Sequence, residues 1–178
     1  MKEFELSDLL PLQLQRVPAQ ADRDLAQIRY LVNSRQGIVA LFAFGASAWH
    51  VKDRHQCIGW NEEHRYQFRH LIVNNSRLLI LPWINCPNLA SKLLSLIVRT
   101  LSHDWQAIYN YAPVLLEAFA DQSHFLGTSY KAANCKLVGL TQGRGKKDLK
   151  KHPPVKGYLP LLSNQGFPAH PHGPKNHD

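Results

Sequence analysis

The chain has 178 residues, 44% of them apolar, and a formal net charge of +8. That length and apolar content fit one compact domain with a core of its own. No apolar stretch approaches the roughly 20 residues a membrane-spanning helix needs, and the polar start Met1-Lys2-Glu3-Phe4-Glu5 is unlike a signal peptide, so a soluble, cytoplasmic protein without a membrane partner is expected.

Residues 1–21 hold Pro11, Pro18 and scattered leucines without a period, and read as an N-terminal arm. Asp22 precedes Leu25, Ile28, Leu31 and Val32, whose spacing predicts one helix ending before Asn33-Ser34. Ile38–Phe44 is a continuous apolar run closed by Gly45, a buried strand. Trp49 and Trp60 then stand among His50, Lys52, Asp53, Arg54 and His55. Such a pair either stacks bases or a cofactor, or seals one edge of a core, and the core seal is the expectation. Cys57, Cys86 and Cys135 are odd in number and far apart, so plain thiols are expected, with no disulfide framework and no metal. Asn61 reads as the cap of a helix running to Asn74-Asn75, with Glu62 and Glu63 in its first turn.

The stretch from Arg77 to Gly139 reads β-α-β-α-β. A strand Arg77–Trp83 feeds Asn85-Cys86-Pro87-Asn88, and Asn88 caps a helix carrying Leu89, Leu93, Ile97 and Leu101, which breaks near Ser102-His103-Asp104 and restarts with Trp105 and Ile108. The strand Val114–Phe119 follows, then a short helix after Thr128 closed by Asn134, and a last strand Lys136–Leu140. In that order the sheet is covered by helices, and ligands belong at strand carboxyl ends or where neighbouring strands splay. The first-turn N–H groups of Asn88, Leu89, Ala90 and Ser91 form a candidate anion site. Glu117 is the one acid inside its apolar run, and is either a general base in a cleft or a hydrogen-bonded structural acid.

The positive charge is local. From Lys131 to Lys156 eight Lys and Arg face one acid, Asp148, for a net +7. Arg144, Lys146, Lys147, Lys150 and Lys151, beside Gly143 and Gly145, are the candidate nucleic-acid contacts, because such a strip attracts polyanions through counterion release; the alternative is a solvated, solubilising segment. Residues 151–178 are rich in Pro, Gly and His and read as a largely disordered tail, leaving 22–150 as the domain.

Asp53-Arg54, Ile58-Gly59-Trp60, Asn74-Asn75, Leu79-Ile80-Leu81-Pro82-Trp83, Pro87-Asn88-Leu89-Ala90-Ser91, Leu115-Leu116-Glu117, Gly127–Asn134 and Thr141–Gly145 resemble the family of component A of the Druantia anti-phage defence system, which is also found joined to transposases. The resemblance covers more than half the chain. It implies a bacterial defence or mobile-element protein acting on or near nucleic acid, with other defence-system or transposase proteins as partners. Relatives usually carry a Tyr-His-Tyr-Leu-Gly segment before the first strand, which is missing here, so a shortened chain is expected, and an inactive remnant or scaffold is one alternative.

Tyr130-Lys131-Ala132-Ala133-Asn134-Cys135, followed by Lys136–Gly139, is also similar to the ending of the GNAT acetyltransferase superfamily. This likeness implies a single α+β domain with a central mixed sheet flanked by helices. It further implies an acyl-CoA-dependent N-acyltransferase using acetyl-CoA, in which Tyr130 protonates the departing thiolate, Glu117 deprotonates an amine and the helix start Asn88–Ser91 holds the pyrophosphate. Ile84–Ser91 lacks the glycine usual in that superfamily's pyrophosphate loop.

Overall fold

The computed structural model describes residues 3–17, 26–49, 51–121, 127–133, 135–140 and 155–159. A short helix α1 (Leu6–Leu9) leads into β1 (Gln13–Val17), followed by β2 (Gln27–Ser34) and β3 (Gly37–Ala46). Two helices follow, α2 (Lys52–Ile58) and α3 (Glu62–Phe68), then β4 (Ile72–Ile80), the long helix α4 (Leu89–Tyr109), β5 (Leu115–Asp121), α5 (Thr128–Ala132), β6 (Lys136–Leu140) and β7 (Val155–Leu159). The strands form one sheet in the order β1-β2-β3-β4-β5-β7-β6. Only β4 and β5 pair in parallel, through the crossover helix α4; every other neighbour is antiparallel. The result is the α+β domain with a mixed central sheet flanked by helices that the sequence led us to expect.

Residues 27–34 are a strand and not part of a helix. Ile28, Tyr30 and Val32 are buried and the residues between them are not, a period of two. The Ile28, Leu31, Val32 spacing also satisfies a helix, but the β-branched and aromatic side chains and the ladder to β3 decide for the sheet. The β2–β3 hairpin closes where Ser34 pairs with Gly37, whose φ of +90° suits glycine. Asp22 and Leu25 lie outside the described residues.

Three further boundaries differ from expectation. α3 is capped by Asn61, whose side chain accepts from the His64 N–H at 2.8 Å, but it ends at Phe68 and passes through a 3-10 turn (Arg69–Leu71) straight into β4. Ile72 and Val73, read as the end of a helix, instead pair with β5, and Val73 also with β3. α4 runs unbroken through Ser102–Asp104, because those polar side chains bond outward: the Ser102 hydroxyl donates to the Pro113 carbonyl (3.1 Å), and Asp104 accepts from the Tyr30 hydroxyl (2.7 Å). Finally β7, placed by composition in the tail, is an interior strand between β5 and β6.

One face of the sheet carries the main core. Leu89, Leu93, Leu94, Ile97, Leu101 and Trp105 of α4 pack on Ile28, Tyr30, Val32, Phe42, Phe44, Val73 and Leu116. The opposite face is covered at β4 and β5 by α3 and the 3-10 turn, where Phe68, Leu71, Ile72, Val114 and Leu115 form a second cluster joined by Ile58 and Trp60. α2 crosses this face to β6, where a Cβ at Gly139 would collide with the Asp53 carboxylate. Gly139→Ala is therefore expected to cost about 1–3 kcal/mol by pushing α2 off the sheet. A thermal melt checks this, and an unchanged Tm would show that α2 does not rest there.

Candidate functional site

Two arrangements converge near β4 and β5. The first follows from a bulge. β4 pairs with β3 as far as Ile80, but the register shifts between Ala43 and Phe44, and Ser76 bulges out with its hydroxyl donating to the Ala43 carbonyl at 3.2 Å. On its β4 side β5 pairs only with Ile72–Asn75, so the parallel pairing ends at Asn75 while β4 runs on to Ile80. Tyr130, on α5, reaches this point, and its hydroxyl donates to Asn75 Oδ1 at 3.2 Å. Asn75 is 6% exposed, and its Nδ2 has no acceptor among the described residues. A buried donor without an acceptor is costly, and this one stands where the parallel pairing of β4 and β5 ends.

The start of α4 differs from the expected side-chain cap. Asn88 occupies the cap position with φ +60°, but its side chain caps nothing; the Ser91 hydroxyl donates to the Asn88 carbonyl at 2.9 Å and the Leu89 N–H to the Cys86 carbonyl at 3.4 Å. Leu89 is fully buried in the core. Leu89 and Asn88 thus serve to anchor the helix, and Ala90 and Ser91 are left to offer N–H groups.

The second arrangement lies on the α2 face of β5. Glu117 is 2% exposed and Arg54 1%. Arg54 Nη1 donates to Glu117 Oε2 at 2.5 Å, the Ala48 N–H donates to Glu117 Oε1 at 2.7 Å, and Arg54 Nη2 donates to the Ala48 carbonyl at 2.9 Å while facing His55 Nε2 at 2.8 Å. Burial raises the Glu117 carboxyl above its ordinary value, opposed by the charge of Arg54, the Ala48 N–H, the Arg54 hydrogen bond and Arg69. Asn74, the register partner of Glu117 across the parallel pair, carries a buried Oδ1 with no donor among the described residues.

Beside this pair the surface is aromatic. Trp49 does not seal the core: it is 48% exposed, edge-on to Tyr66 with centroids 5.3 Å apart, and the Arg69 guanidinium lies 4.2 Å from its ring centroid. Arg69 is held by the Ser47 carbonyl at 3.2 Å. Trp60, by contrast, is half-buried against Phe68 and His55, as a core seal should be.

Thus Tyr130 and the Glu117 network are separated by the sheet: Asn75 and Glu117 belong to opposite faces of adjacent strands. Arg144, Lys146, Lys147, Lys150 and Lys151 lie outside the described residues, as does Asn134. What the structure adds is their attachment, since they fall in the connection between β6, ending at Leu140, and β7, starting at Val155, and Val155 pairs with Asp121 at the end of β5. Sequence reasoning missed Arg54 as the partner of Glu117, and Asn75, Tyr66 and Arg69. The one available signal was Asn74-Asn75, two residues that strands disfavour.

Comparison with solved structures shows the same fold in acetyltransferases. A dodecameric spermidine N-acetyltransferase from Vibrio cholerae aligns with a TM-score of 0.52 at 13% identity, over 82% of this chain and 72% of the other. An N-acetyltransferase from Staphylococcus aureus Mu50 aligns with a TM-score of 0.50 at 14% identity, over 77% of this chain and 68% of the other. Identities this low establish the architecture and leave chemistry open. No curated protein matches the sequence. The model of the family described as "Druantia protein DruA" matches residues 16–157, from β1 through the basic connection into β7. That span takes in β2 to β6 whole and part of β1 and β7, and the chain belongs to the Druantia protein DruA family.

Proposed function

We propose that this protein is a cytoplasmic component of an anti-phage defence system or mobile element and acts on nucleic acid, with other proteins of that system as its partners. The observation that carries the reading is the basic connection of residues 141–154, rooted where β5, β6 and β7 end together and on the side where β4 leaves β5. Charge gathered in one segment at a sheet end focuses a polyanion there, whereas solubilising charge is spread over a surface. In this reading Arg144, Lys146, Lys147, Lys150 and Lys151 meet phosphates, and Glu117, with both oxygens held, is structural. Equilibrium binding of a labelled oligonucleotide tests it. Reversal of Arg144, Lys146 and Lys147 to Glu should weaken binding strongly, and unchanged affinity would sink the proposal.

A second reading is favoured by the orphaned Asn75 amide beside Tyr130. A donor and a hydroxyl at the parting of two parallel strands suit a carbonyl-bearing ligand such as the acyl arm of acetyl-CoA, with Tyr130 as the acid toward its thiolate and the N–H groups of Ala90 and Ser91 toward its phosphates. Glu117 does not supply the base in this scheme. Calorimetric titration with acetyl-CoA decides. Micromolar binding weakened at least tenfold by Asn75→Leu, with Tyr130→Phe slowing transfer about a hundredfold without loss of binding, is the expected pattern; no detectable heat would dismiss it.

A further inference from the structure

We infer that the cleft between the edge strand β1 and helix α4 binds a small organic phosphate that also carries a hydroxyl group, with Arg16 and Arg99 meeting the phosphate and Asp104 the hydroxyl. The inference rests on neither reading above: β1 is three strand spacings, about 14 Å, from β4, and further from β5 and β7. The cleft follows from the fold. α4 packs its apolar face on β2, β3, β4 and β5, so β1, at the sheet edge, is only partly covered. Leu14 and Arg16 alternate with Gln15 and share the face of their register partners Val32 and Tyr30, which is the helix side. From α4 come Arg99 and, about one turn on, His103 and Asp104. These side chains line a cavity of about 580 Å³, a volume typical of small-molecule sites.

The floor of the cleft is a buried polar pair. Tyr30 is 1% exposed, and its hydroxyl donates to Asp104 Oδ2 at 2.7 Å. Burial and the bond to Asp104 raise that hydroxyl well above its ordinary value, and the charge of Arg16 opposes them, so the Arg16 charge reaches the floor. Tyr30 thus stays a donor and is committed to Asp104. The other Asp104 oxygen has no hydrogen bond among the described residues: His103 Nδ1 stands 3.7 Å away, on a ring 88% exposed. A carboxylate oxygen is an acceptor, so this one is open to the O–H of a ligand.

The rim supplies the charge. Among the described residues neither Arg16 nor Arg99 is ion-paired with an acid, and both open onto the one cavity. Guanidinium groups suit phosphate because their planar N–H forks match its oxygens two at a time. Two of them match the double charge and three free oxygens of a phosphate monoester, where a carboxylate or a phosphodiester offers a single charge. Asp104 in the same cavity selects further. It repels a strand that must lay successive phosphates past it, and it favours a single phosphate on a hydroxyl-bearing body, with Leu14 beneath the carbon skeleton.

The test is calorimetric titration of the full chain with ribose 5-phosphate, inorganic phosphate and ribose at fixed ionic strength. The parent should bind ribose 5-phosphate about tenfold more tightly than inorganic phosphate, and ribose without detectable heat. Arg16→Gln and Arg99→Gln should each weaken both phosphates by about tenfold or more. Both arginines are exposed, so these variants are expected to keep the parent Tm, which separates a lost contact from a lost fold. Asp104→Asn keeps an acceptor for the Tyr30 hydroxyl and should bring the two phosphates to within about threefold of each other. A parent that binds neither phosphate, or arginine variants that bind as the parent does, would overturn the proposal. Equal binding of inorganic phosphate and ribose 5-phosphate by the parent would remove the role given to Asp104 and overturn it too. Displacement of ribose 5-phosphate by oligothymidine at equal phosphate concentration, abolished in the arginine variants, would assign the cleft to a nucleic-acid backbone and likewise overturn it.

Discussion

Arg54→Ala is expected to destabilise the protein by about 3–5 kcal/mol, because it strands the Glu117 carboxylate in a site only 2% exposed. Domains of this size carry roughly 5–15 kcal/mol in total, so the variant should be partly unfolded or strongly shifted in urea denaturation. The pair itself need not be the source of that stability. Replacing Arg54 with Met and Glu117 with Leu together removes both charges and is expected to recover much of the loss, apart from the Ala48 N–H that Glu117 now satisfies. If Arg54→Ala melts with the parent protein, the buried pair is not as drawn.

The same site sets a pH dependence with a definite sign. Burial holds the Glu117 carboxyl above its ordinary value, so between the unfolded and folded pKa the native state keeps a proton that the unfolded chain has released. Its contribution is complete below the unfolded value and declines as pH rises through the folded one. Glu117→Gln keeps an acceptor for the Ala48 N–H but cannot titrate, and the difference in urea midpoint between parent and variant should therefore slope across mildly acidic pH. A flat difference would mean that burial does not raise the carboxyl.

The second large effect is on nucleic-acid affinity. If Arg144, Lys146, Lys147, Lys150 and Lys151 each neutralise one duplex phosphate, raising salt from about 50 to about 200 mM should lower affinity about 500-fold. With only Lys150 and Lys151 left in contact, after reversal of the other three, the same change should cost only about tenfold. The slope is the informative quantity, since any weakened protein loses affinity but only one that has lost phosphate contacts loses salt dependence. A parent whose binding ignores salt would show that these cations do not meet phosphate.

By itself the sequence determined the strands with one-sided or continuous apolar runs and the amphipathic helix between two of them. Ile38–Phe44, Leu89–Leu101 and Val114–Phe119 are local patterns, each legible in its own periodicity or apolar run, whereas the continuation of the helix through Ser102–Asp104 to Trp105 was not. Local capping chemistry was equally legible at Asn61. The concentration of positive charge after Lys131 needed only counting. Tertiary structure alone decided whether residues 27–34 became helix or strand, since their side chains satisfy both periods and pairing with β3 broke the tie. It also drew Val155–Leu159 into the sheet interior, because a strand's place depends on a partner many residues away. The site shows the same division. Glu117 stood out as an acid in an apolar run, but its partner Arg54 is 63 residues earlier, and no spacing rule links them. Trp49 and Trp60 looked alike in sequence, and only packing separated them: Trp60 found Phe68 and His55, while Trp49 was left at the surface against Tyr66 and Arg69, because burial is a property of what the fold brings near a residue and not of the residue itself.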